Sequence, residues 1–180
     1  MAAGALLALS IPPWGFWPLA LVGSGVLYAA VRGIGWRGRL AVGLAAGLSQ
    51  FLLGIFWIAS FNLFGLVLLA ALEGSFLAMA CALTPAGRGR AAAWPAALAA
   101  AEALRGMWPW GGFPMGGLAL GQAGSPLGPA ARIGGDLLLV GLIGLAGTVL
   151  AEAASPAGRR AAVTAGLVVV ALAALGRVAP

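Results

Sequence analysis

Between Arg39 and Arg88 the sequence carries one charged side chain, Glu73. Almost fifty residues with a single charge cannot coat a globule in water. Soluble domains carry about 25% charged residues to do so, whereas this chain carries 8%, with a mean hydropathy of +1.05. A lipid bilayer is the solvent in which such a chain is stable, because its side chains can face outward and helices satisfy their own backbone polar groups. The expected fold is an all-α, polytopic bundle of transmembrane helices.

Crossing the hydrocarbon takes about 20 apolar residues, and about 17 at the least. Dividing the sequence at its Pro, Gly and Arg clusters gives about seven candidate spans in one domain over 1–180. They lie near 2–11, 16–31, 40–61, 65–83, 91–107, 135–151 and 161–175. The stretch from Met1 to Ser10 has no basic lead and reads as a short first span, not a cleaved signal.

The arginines give a second test of this division. Arg32, Arg37 and Arg39 fall between spans two and three, Arg88 and Arg90 between four and five, and Arg159 and Arg160 between six and seven. These are alternate loops, as expected of the cytoplasmic face. The N-terminus is then cytoplasmic and the end near Pro180 lies outside. Arg105, Arg132 and Arg177 depart from the pattern. The net charge of +6 is therefore a topology signal, and no nucleic-acid partner is implied.

The opposite face is rich in Gly, Pro and Trp. It holds Pro12 to Pro18, Trp57 to Phe64, and the long stretch from Trp108 to Gly135, with five of the seven tryptophans. An aromatic belt accounts for the tryptophans alone. So much irregular backbone at membrane depth requires burial in protein or a cavity, so a cavity or docking surface is expected there.

Few polar residues invite chemistry. Glu73, in the middle of span four, should face the bundle interior, either bonded to another span with Gln50 as partner, or serving as a substrate contact or proton relay. Glu102 and Arg105 are three apart and share a helical face. They form a structural pair positioning the next loop, or Arg105 offers a cation to a phospholipid phosphate. Asp136 suits an N-cap, Glu152 solvent, and Cys81 apolar packing. The chain has no histidine and no lysine. That removes the usual general bases, and no metal or cofactor site is expected. Gly43-Leu44-Ala45-Ala46-Gly47 is a small-xxx-small pattern, uninformative in a chain so rich in Gly and Ala.

Several segments resemble one family. Leu9-Ser10-Ile11-Pro12-Pro13-Trp14-Gly15-Phe16-Trp17-Pro18-Leu19 looks like the first outer loop of the apolipoprotein N-acyltransferases, and Gly47 to Ile58, with Phe56-Trp57-Ile58, like their third span. Glu102-Ala103-Leu104-Arg105-Gly106, Gly112-Phe113-Pro114, Gly121-Gln122 and Ser125-Pro126-Leu127 are similar to that family's most specific blocks. Met115 stands where the family usually has tryptophan, and Gly135-Asp136-Leu137-Leu138 departs from its pattern.

The resemblance implies a bacterial cytoplasmic-membrane enzyme moving an acyl chain from phospholipid to the amino group of a lipoprotein's lipidated N-terminal cysteine. The candidate substrate contacts are Trp57, Glu102, Arg105, Gly112, Phe113 and Pro114, and Glu73, from its place in the middle of span four, is a candidate intramembrane polar site. The implied Glu-Lys-Cys triad belongs to a nitrilase-like domain beyond these spans, so no catalytic residue is assigned in this chain. Two other readings remain: a small proton-coupled transporter using Glu73, and a non-catalytic membrane scaffold. The oligomeric state is not indicated.

Overall fold

A computed structural model describes residues 1–87, 89–109, 111–153 and 159–178. Arg88, counted above among the loop arginines, and the chain end at Pro180 lie outside the described residues. The described chain is all-helical: α1 (Ala2–Leu9), α2 (Pro18–Ala30), α3 (Trp36–Gly54), α4 (Leu63–Leu83), α5 (Arg90–Arg105), α6 (Ala131–Ala153) and α7 (Arg159–Val178). Short 3-10 turns occupy Phe56–Ser60, Leu118–Gln122 and Gly128–Ala130.

Local chemistry sets several boundaries. Pro18 opens α2, where its missing N–H costs nothing. The Asn62 side chain caps α4 by accepting from the Gly65 N–H at 2.9 Å. The third expected span, near 40–61, is shifted. Its helix begins at Trp36 and stops at Gly54, and Phe56–Ser60 turns as 3-10. Gly54 lies against Ile11, whose Cδ1 would be 2.9 Å from an added Cβ. α6 starts earlier than expected, at Ala131, and is interrupted at Gly134 and at Gly135, which has a φ of +65°. The Asp136 carboxylate accepts from the Leu137 N–H at 2.9 Å at this restart.

By length and hydropathy α4 and the stretch Gly128–Ala153 can each cross a bilayer, while Pro18–Ala30 and Ala162–Val178 are apolar but shorter. The most extensive pairing is α3 on α4, with α6 packed on α2, α5 and α7, and α1 on α2 and α3. Glycines permit these approaches. A Cβ on Gly47 would sit 2.5 Å from the Gly74 Cα, and one on Gly25 would sit 2.9 Å from the Gly147 carbonyl oxygen. The small-residue pattern at Gly43 and Gly47 is therefore the α3–α4 seam.

The two ends of the bundle differ. At one end Arg39 donates to the Ala82 carbonyl, and Arg90, Tyr28 and Glu152 meet. At the other, the chain between α5 and α6 folds back over the helix ends. Gly121 abuts the Ser10 carbonyl, Gly116 the Phe51 ring, and Gly176 the Pro129 carbonyl.

Candidate functional site

α5 is 16 residues long, a rise of about 24 Å, and Arg105 is its last residue. Arg105 is 2% exposed. Its Nε donates to Glu102 Oε2 at 3.2 Å and its Nη2 to Glu102 Oε1, a two-point grip one helical turn back. Nη1 donates to Glu73 Oε2 at 3.2 Å, to the Phe113 carbonyl, and to the Met115 carbonyl at 3.0 Å. One arginine thus joins α4, α5 and the following loop.

The loop is held by its backbone. The Phe113 N–H donates to the Arg105 carbonyl at 3.3 Å, so this residue is tied to Arg105 in both directions. Gly112 has a φ of +86°, and a Cβ there would lie 2.3 Å from the Gly106 carbonyl, so a side chain is excluded twice over. Gly117 rests on the ion pair itself, with Glu102 Oε1 2.6 Å from where its Cβ would be. Gln50 of α3 donates from Nε2 to the Gly116 carbonyl at 3.4 Å. The Phe113 ring packs beside Phe51, Ile55 and Leu66.

Beneath the loop lies a cavity of about 30 Å³ lined by Gln50, Glu73, Glu102 and Arg105 with Phe51 and Phe76 among its apolar walls. Glu73 is fully buried at the midpoint of α4, and its Oε1 has no hydrogen-bond partner. The space is enough for a water molecule, which needs about 10–15 Å³ on this measure.

The predicted residues therefore divide. Glu73, Glu102, Arg105, Gly112 and Phe113 converge. Pro114 is exposed on the loop surface. Trp57 lies on the 3-10 turn, 44% exposed, with its ring edge-on to Phe61 at 6.1 Å. Gln50 does not pair with Glu73 as expected. Arg105 takes that place, because a cation offsets the carboxylate's desolvation better than an amide does, and Gln50 holds the loop instead.

Sequence reasoning missed a second buried cluster, at the opposite end. Glu152, expected in solvent, accepts from the Tyr28 hydroxyl at 2.8 Å and lies 3.8 Å from Arg90. Arg90 lies 3.6 Å over the Tyr28 ring and donates to the Tyr28 carbonyl. Trp94 donates to Ser24 Oγ at 3.1 Å. The signal available was the chain's one tyrosine. Cys81 is buried where α3 meets α4 at Gly43. Among the described residues no three His, Cys, Asp or Glu side chains gather to hold a metal ion.

Residues 3–149 match the model of the apolipoprotein N-acyltransferase N-terminal domain. An apolipoprotein N-acyltransferase of Pseudomonas paraeruginosa (strain DSM 24068 / PA7) is 40% identical over 58 residues. That alignment spans 32% of this chain and 11% of the relative.

Proposed function

The chain belongs to the apolipoprotein N-acyltransferase family, and on that premise we propose that it forms the membrane-embedded platform of such an enzyme. The complete enzyme would transfer an acyl chain from a phospholipid to the amino group of a lipoprotein's N-terminal cysteine. In this proposal the chain crosses the bacterial cytoplasmic membrane about seven times as one domain. Its N-terminus is cytoplasmic, and the end bearing the 106–130 loop is outside. The gathering of Arg39 and Arg90 at the opposite end supports this orientation.

The observation that carries the assignment is the five-fold engagement of Arg105 with Glu102, Glu73, Phe113 and Met115. It ties the family-like Gly112-Phe113-Pro114 segment to α4 and α5. Arg105, Glu102 and Glu73 act as positioning residues. The Arg105 donors are directed at the two carboxylates and at the loop, and in this proposal Phe113, Pro114 and Trp57 are the groups that contact substrate. The same pairing disfavours a transporter role for Glu73, since a coupling carboxylate must exchange its partner during transport.

The test is lipoprotein N-acylation by the complete enzyme, read from the mass of the lipoprotein's N-terminal peptide. Arg105→Gln should release the loop and reduce acylation at least tenfold. Phe113→Ala should reduce it with the protein level unchanged. Wild-type acylation in both variants would overturn the site.

A further inference from the structure

Three arginines lie away from the arginine-rich end: Arg105, Arg132 and Arg177. Arg105 belongs to the loop site described above. Arg132 and Arg177 are exposed and line one open recess of about 410 Å³, together with Gly128 and Pro129. Arg177 also lines a second recess of about 350 Å³. The rest of that recess is lined by apolar side chains, among them Trp17, Leu21 of α2, Leu127, and Val169, Val170 and Ala173 of α7. Gly176 against the Pro129 carbonyl fixes α7 to the 3-10 turn, so the two recesses keep their places relative to each other.

Two cations above an apolar trough match an anion carrying a hydrocarbon chain. Planar guanidinium donors suit phosphate oxygens, and basic pockets between membrane helices bind phospholipid headgroups. A soluble phosphate would make no use of the trough, and an acidic peptide none of its length along α7. We propose that this groove holds one anionic phospholipid, with its phosphate at Arg132 and Arg177 and an acyl chain between α2 and α7. It rests on the membrane placement given above and is separate from the loop held by Arg105.

The test is native mass spectrometry of the complete protein, purified in detergent and titrated with phosphatidylglycerol or phosphatidylcholine. One phosphatidylglycerol should be retained in preference to phosphatidylcholine. Arg132→Gln with Arg177→Gln should weaken that retention roughly tenfold or more, and Ala173→Trp, which fills the trough, should do the same. Arg159→Gln with Arg160→Gln, at the other end, should change nothing.

Equal retention of the two lipids by the wild-type protein would overturn the proposal, and that comparison needs no variant to fold. So would wild-type retention in the groove variants. Displacement by millimolar inorganic phosphate, with no effect of Ala173→Trp, would assign the arginines to a soluble anion instead and sink the lipid site. Retention is read without acyl transfer. Loss of transfer with the lipid kept counts against the enzymatic assignment alone, and intact transfer without lipid preference counts against this site alone.

Discussion

A buried guanidinium with two carboxylates is costly to bring out of water, and it persists only when its hydrogen bonds are complete. Arg105 meets that condition by drawing on main-chain carbonyls as well as on Glu73 and Glu102. Removing it leaves the buried Glu73 and the half-buried Glu102 without their cation. Arg105→Ala should therefore destabilise the protein by about 3–5 kcal/mol, visible as a large fall in the thermal transition in detergent. Arg105→Lys should not restore it, because an ammonium cannot reach acceptors on three sides in one plane. The combined replacement Glu73→Leu, Glu102→Leu, Arg105→Met should recover much of the stability while acylation stays low. Recovery of activity in that triple variant would mean that the ion cluster is not what positions the loop.

Elements meet where side chains are smallest. The α3–α4 seam depends on Gly47 and Gly74 approaching backbone to backbone. Gly47→Ala should cost about 1–3 kcal/mol through overpacking, and Gly47→Leu should abolish the folded protein as judged by size-exclusion profile. Gly141, in α6, has nothing within 4 Å of an added Cβ, so Gly141→Ala should be neutral or stabilise by up to about 1 kcal/mol. Equal effects at the two positions would show that composition alone, rather than the seam, explains the glycine content. The expected span near 65–83 and the helix Leu63–Leu83 end at the same residue, just before Thr84-Pro85, whereas the expected start of span two at 16 gives way to Pro18. The sequence failed at Gly54 and Ala131, because those boundaries answer to Ile11 and to the turn at Gly134 and Gly135, which are tertiary contacts and backbone torsions, not hydropathy.

For the whole molecule, the separation of arginines from the Gly/Pro/Trp loops gives a testable orientation. In a Cys81→Ala background, Ser60→Cys should react with a membrane-impermeant maleimide in intact cells, and Arg37→Cys only after permeabilisation. The reverse pattern would invert the proposed topology.

What the sequence determined alone was whatever depends on solvent preference. Scarcity of charge and long apolar runs are the basis for expecting lipid-facing helices, and the arginine spacing is the basis for the proposed orientation. The Glu102–Arg105 pair was also legible, because three residues on one helix are neighbours by geometry. What only the tertiary structure decided was who answers each buried polar group. Glu73 is 32 positions from Arg105, Tyr28 is 124 from Glu152, and Gln50 is 66 from Gly116. Each pairing is set by how closely glycine lets two helices approach and by where a loop re-enters the bundle. Such choices are resolved by packing in three dimensions, and a one-dimensional pattern of polarity does not contain them.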